Sequence, residues 1–256
     1  MISIRSISPK RALAFGVVAP LAIALAACAD DASETGAPAG EPIEAIPAPE
    51  GSSWTEVVNV TPEGGYVLGN PDAPLKLVEY ASHTCGACAY FAQTGSTPLK
   101  ENYVSTGVVS YELRNLIANP VDLTIATLVR CSQPESMQVL ADQAWVAFED
   151  VMGGVSANAE AIRATGDLPL EERFVRIGEV SGLIDFFAAR GVSADKAREC
   201  LSDVETIQAI ADRSQKQGQD LNITGTPTWL LNGRKVEANQ WPELEPILQR
   251  AGARTE

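Results

Sequence analysis

Residues 81–91 read Ala-Ser-His-Thr-Cys-Gly-Ala-Cys-Ala-Tyr-Phe. The two cysteines, Cys85 and Cys88, stand where the strand-like run "LKLVEY" gives way to a run of helical spacing. A thiolate, not a thiol, attacks a disulfide, and an ordinary cysteine with a pKa of ~8.5 is mostly protonated at neutral pH. A sulfur at the start of a helix escapes that limit. The first N–H groups of a helix lack internal partners and carry partial positive charge, so they stabilise an anion. Cys-x-x-Cys pairs in such places fall to roughly 3.5–7.5. The spacing therefore predicts a strand-to-helix joint with Cys85 as the exposed attacking thiol. Cys88, one turn inside, would resolve the mixed disulfide.

Two rival uses of the pair are weaker. Zinc takes four ligands, commonly as two paired sets, and beside His83, Cys85 and Cys88 the sequence offers no second set. A disulfide across two residues closes too short a loop to stabilise much, although a staple or degenerate site stays open. With one histidine in the chain, Ser-His-Asp hydrolases and H-E-x-x-H metalloproteases fit poorly. No metal and no organic cofactor is expected.

The N-terminus reads as a targeting segment. Arg5, Lys10 and Arg11 precede an apolar run, Ala12–Ala24, of signal-peptide length. That run ends in Leu25-Ala26-Ala27-Cys28, which resembles the lipobox of bacterial lipoproteins and implies a lipid on Cys28. An ordinary secretory signal, with Cys28 incidental, is the alternative. Residues 28–53, rich in Ala, Pro, Glu, Gly and Ser, read as a disordered tether that cannot bury a core. The folded domain is expected over 54–256. Without residues 1–27 the chain has 16 basic against 33 acidic residues, a net charge of −17, which argues against a nucleic-acid surface.

Along the domain, "WTEVVNV" and "GYVLG" read as short strands around a glycine turn, and "LKLVEY" as a central strand. A helix begins at the cysteine pair, breaks near "GSTP" and resumes, and "GVVSYELRNL" is the next strand. From 119 to about 221 the pattern is helical, opening at Asn119-Pro120. "TPTWLLNG" and "RKVEA" form a hairpin across Asn-Gly, and a helix from about Gln240 closes the chain. This is an α/β thioredoxin-like order, a central mixed sheet flanked by helices, with a large all-helical insertion. In "APLKLVEYASHTCGACAYF", "VVSYELRNL" and "NITGTPTWLLNGRKV", at matching intervals, the chain resembles the DsbA-like thiol:disulfide oxidoreductases from about residue 64 onward.

The resemblance implies roles for further residues. Glu79, six residues before Cys85 and on the face of Leu75 and Leu77 if the alternation holds, matches the acid that takes the proton of the resolving thiol. The alternative is an edge residue facing water. Thr226-Pro227 matches a cis-proline loop facing the cysteines, whose backbone would bind an extended substrate as an added strand. His83 is carried with them as a candidate substrate-binding residue. Read alone, it is a half-exposed loop histidine, or one close enough to stabilise the thiolate when protonated. Where many relatives carry a histidine, this chain has Ala87, so a moderately lowered Cys85 pKa is expected. Exported cysteines are seldom left free, so Cys131 and Cys200 are expected to form a structural disulfide, with two buried thiols as the alternative.

The expected function is exchange of disulfides with cysteine-containing exported proteins of the cell envelope, by a monomer recycled by a membrane redox partner and anchored through its lipid. A reductase or isomerase, or a non-catalytic binding lipoprotein, stays open.

Overall fold

The computed structural model describes residues 39–253. The signal segment and Cys28 lie outside the described residues, as does the first part of the tether. Its remainder departs from the expectation. Residues 40–46 form an extended strap, in which the Gly40 and Ile43 N–H groups donate to Arg250 and Gly252 carbonyls at 2.9 and 3.0 Å and Ile46 N–H to Thr106 O at 2.8 Å. The composition lacks apolar residues in bulk, but the backbone finds fixed acceptors at the end of the chain and Ile46 O accepts the Trp54 indole N–H at 2.7 Å. Any tether therefore ends before Gly40.

Two short strands, β1 (Val58–Val60) and β2 (Tyr66–Leu68), precede β3 (Leu75–Ala81), α1 (Gly86–Thr94), α2 (Ser96–Asn102) and β4 (Val109–Asn115). Eight helices follow before the next strand. They are α3 (Pro120–Arg130), α4 (Pro134–Val146), α5 (Phe148–Ala157), α6 (Ala159–Ala164), α7 (Leu170–Val180), α8 (Leu183–Ala188), α9 (Ala194–Ser202) and α10 (Val204–Asp220). The hairpin β5 (Thr228–Leu231) and β6 (Arg234–Val236) leads to α11 (Trp241–Arg250). Asn232 and Gly233 turn it with φ of +49° and +79°, the left-handed pair that an Asn-Gly hairpin needs.

The strands form one sheet in the order β1-β2-β4-β3-β5-β6. β3 and β4 run parallel, with α1 and α2 as the crossover, and the other pairs are antiparallel. β3 is thus central, which its largely apolar sequence anticipates. Its register sets Leu77 beside Tyr111 and Leu231, and Glu79 beside Leu113 and Trp229. Leu75, Leu77 and Ala81 face the main core with α1 and the helical block, while Tyr80 and Val78 face a smaller cluster with Ile223 and Leu230. Glu79, in step with Leu75 and Leu77, is committed to the main core. Within the helical block α3 is buried from Val121 to Val129. Cys131, which follows it, is disulfide-bonded to Cys200 of α9 with Cα atoms 6.1 Å apart.

Candidate active site

The loop leaving β3 carries the first cysteine. Cys85 is the N-cap of α1, extended at φ −94° and ψ 119°, and its Sγ accepts the Cys88 N–H at 3.5 Å. Gly86 and Ala87 begin the helix without competing side-chain donors, so the orphan amides of the first turn aim at sulfur. On the other side lies the loop before β5. There the Thr226-Pro227 bond is cis and Thr226 O stands 3.2 Å from Cys85 Sγ.

The two thiols have opposite surroundings. Cys85 is partly exposed, and its pKa is brought down to about 5. The largest cause is the Cys88 thiol donating to it. Partial burial works the other way, and hydrogen bonds from Thr226 and from the N–H groups of Cys88 and Ala87 add to the lowering. This value sits inside the range typical of such pairs rather than at its acid extreme. Cys88 is buried, and its thiol is held far above the ordinary range by donating to Cys85, by burial, and by the charges of Glu79 and Cys85.

Glu79 is 1% exposed. Burial drives its pKa up to about 8, opposed by the Tyr111 hydroxyl, which donates to Oε2 at 2.5 Å. A carboxyl with that pKa can hold or release a proton near neutrality. Trp229 faces it across the strand pair and packs on Phe91 of α1 at 4.5 Å between ring centroids. The water-facing alternative for Glu79 is therefore excluded.

His83 departs from both of its readings. It is 2% exposed, edge-on to the Trp145 indole at 4.7 Å, and neither ring nitrogen has a hydrogen-bond partner. Burial, with Arg130 nearby, pushes its pKa down to about 3, so it is neutral at any ordinary pH. It can neither line a substrate surface nor place a charge beside the thiolate. The helical block supplied what the loop sequence could not show, the Trp145 wall.

Sequence reasoning also missed what holds the loop. Asp122 accepts the His83 N–H at 2.7 Å with Oδ1 and the Ala118 N–H at 2.9 Å with Oδ2. Its pKa is raised to about 6, with burial outweighing those bonds. Asn119 donates to Thr84 Oγ1 at 2.8 Å, and the Trp145 N–H donates to Ser82 O at 3.1 Å. Three helical-block residues thus clamp Ser82, His83 and Thr84. The one readable signal was Asn119-x-x-Asp122, a cap at the start of α3. Tyr111 was legible only as a residue of the strand "GVVSYELRNL".

A mixed sheet with parallel central strands, a Cys-x-x-Cys at the head of the following helix and a facing cis-proline loop define a thioredoxin-fold protein with a helical insertion. A family model described as thioredoxin matches residues 61–250, and the chain belongs to that family. Curated relatives from Rickettsia bellii and Rickettsia typhi carry the words protein-disulfide oxidoreductase in their names. The first is 26% identical over 189 residues, covering 74% of this chain and 65% of its own length. The second is 24% identical over 186 residues, covering 72% and 61%. The chain thus spans under two thirds of the length of these relatives. Among solved structures, a protein-disulfide isomerase from Novosphingobium aromaticivorans is 29% identical with a TM-score of 0.69, covering 73% of this chain and 97% of its own. Wolbachia pipientis alpha-DsbA1, 19% identical with a TM-score of 0.57 over 73% and 89%, shares the DsbA-like fold.

Proposed function

We propose that this protein is a thiol:disulfide oxidoreductase acting on cysteines of other proteins through Cys85 and Cys88. The observation that carries the reading is the asymmetry of the pair: Cys85 partly exposed at a helix cap, where its pKa is lowered, and Cys88 buried one turn behind it, where its pKa is raised. With a substrate disulfide, the Cys85 thiolate forms a mixed disulfide and one substrate thiolate leaves. Cys88 then passes its proton to the Glu79 carboxylate and its sulfur attacks Cys85 Sγ. The Cys85–substrate bond breaks and the second substrate sulfur leaves with its electron pair. The substrate gains two electrons and the pair becomes a disulfide. The reverse sequence oxidises a substrate dithiol, and a membrane redox partner then takes the two electrons.

Stabilising the reduced pair as a thiolate favours the direction in which the protein oxidises its substrate. The isomerase name of the Novosphingobium relative supports a second use of the same first step, in which Cys85 attacks and is released before Cys88 acts. Thr226 beside Cys85 offers backbone groups to an extended substrate segment, which suits broad substrate choice. Export by residues 1–27, with a lipid on Cys28, would place the domain in the cell envelope. Among the described residues no helix is long and apolar enough to cross a membrane.

The test pairs titration with turnover. Thiolate absorbance near 240 nm should rise with a midpoint near pH 5, and Cys85→Ser should abolish both that signal and disulfide exchange in an insulin-reduction or refolding assay. A midpoint near 8.5, or activity surviving in Cys85→Ser, removes the proposal. The potential of the couple then separates an oxidant from a reductant.

A further inference from the structure

Under the redox turn lies a second layer of polar groups that motif reading does not reach. Tyr111 of β4 donates to Glu79 of β3, the charges of Asp142 of α4, Lys100 of α2 and Cys85 at the cap of α1 act on it, and Glu79 in turn acts on Cys88 of α1. Lys100 and Asp142 are ion-paired with each other, at 17% and 25% side-chain exposure, and act on Glu79 in opposite senses, Asp142 raising its pKa and Lys100 lowering it. Lys100 Nζ also lies 6.0 Å from the centre of the Tyr111 ring. Tyr111 is different. It is 2% exposed, its ring lies 6.3 Å from Trp229, and its hydroxyl points at Glu79 Oε2 from 2.5 Å.

A hydroxyl that donates to a carboxylate stabilises the charged form, and inside an apolar layer that effect is large because water cannot substitute for it. Tyr111 itself keeps its proton, since burial and the neighbouring carboxylate both raise its pKa. It is therefore a fixed donor. We propose that Tyr111 is the positioning residue of the proton-transfer step: its hydroxyl holds Glu79 Oε2 in place and keeps the carboxylate ionised often enough to accept the Cys88 proton. The role rests on the exchange reading above and deepens it. In the step, the Cys88 S–H bond breaks, the proton moves to Glu79, and the freed sulfur displaces the substrate sulfur from Cys85. Tyr111 touches neither thiol partner of the substrate and changes no bond. It acts through Glu79 alone.

The consequence has a sign. Without the hydroxyl, Glu79 loses its donor, the charged form is less stable, and a higher pH is needed to ionise it. Attack by Cys85 does not need Glu79 and is unaffected. In Tyr111→Phe, full-length and reduced, the mixed disulfide formed with a small aromatic disulfide should resolve about tenfold more slowly at pH 7, with the rising limb of its pH profile displaced upward by about one unit and wild-type rates recovered above it. The 240 nm thiolate midpoint should stay in place. Difluorotyrosine incorporated at position 111 keeps the shape and donates more strongly, so the same limb should move downward; this second variant decides the matter if the phenylalanine protein folds poorly. A uniform slowing with an unmoved midpoint, or shifts of the same direction in both variants, overturns the positioning role. Failure of the underlying reading looks different: Glu79→Gln would then resolve mixed disulfides at the wild-type rate.

Discussion

At the scale of single residues, the site works by placing like side chains in unlike surroundings. Cys85 and Cys88 differ because one caps a helix and the other sits one turn down, and only the first reaches the surface. His83 makes the same point in reverse. Next to a thiolate, a histidine invites the reading of a charged helper, yet burial against Trp145 keeps it uncharged. Because its folded pKa is depressed, protonating it would cost stability, and that cost appears only as pH falls below its unfolded value of about 6.5. It is the sole histidine of the chain, so its ring proton resonances are unambiguous in NMR. They should stay flat from pH 8 to about 4 in the native protein and move only near pH 3 or with acid unfolding. A midpoint between 6 and 7 would show an accessible imidazole and return His83 to the list of substrate contacts.

At the scale of elements, much of the arrangement could be read from the sequence because local signals agreed with the global fold. The alternation in "LKLVEY" put Glu79 on the core face, and Asn119-Pro120 marked the start of α3. Asn232-Gly233 fixed the hairpin. The break near "GSTP" became a change of helix at Gly95, where a Cβ would stand 2.9 Å from Trp241 Cβ and 2.7 Å from Phe91 Cε2. What stayed hidden depends on contacts distant in sequence. Asp122 reaches His83 across 39 positions, and Trp145 covers Ser82 across 63. No window of neighbouring residues contains such a clamp. The disulfide joins α3 to α9 across 69 residues, and in the chain-entropy account a loop of that size restricts the unfolded chain by ~4 kcal/mol. Replacing both Cys131 and Cys200 by alanine should lower unfolding stability by about 2–4 kcal/mol in denaturant titrations. The Cys85 thiolate midpoint should not move, because α3 is buried along most of its length and keeps Asp122 in place without the bridge. A shifted midpoint would show that the bridge, rather than the core, sets the redox loop.

For the molecule as a whole, the strap and the thiols sit at opposite poles. Ile46 binds Thr106 O just ahead of the first residue of β4, whereas Cys85 follows the last residue of β3. The two strands run parallel over seven residues, a length of about 23 Å, so the leading segment enters at the end of the sheet away from the redox pair. Composition could not show this, since a segment of Pro, Ala and Glu reads as unfoldable until its backbone acceptors are known. Gly107 marks how close the fit is: at φ +72°, a Cβ there would meet Trp54 Nε1 at 2.4 Å and Ile46 O at 2.5 Å. Removing the strap, by starting the chain at Pro49, leaves the Trp54 N–H without its acceptor and uncovers the carbonyls of Thr106, Arg250 and Gly252. Four hydrogen bonds are lost, each with a net contribution of about 0.5–1.5 kcal/mol, and for a domain of this size each kcal/mol lowers Tm by roughly 2–4 °C. The truncated protein should therefore melt several degrees lower while its thiolate titration and exchange rate match those of the longer chain. Were the titration to move with the melting temperature, the two poles would be coupled, and the strap would have to be counted as part of the redox apparatus rather than as its mount.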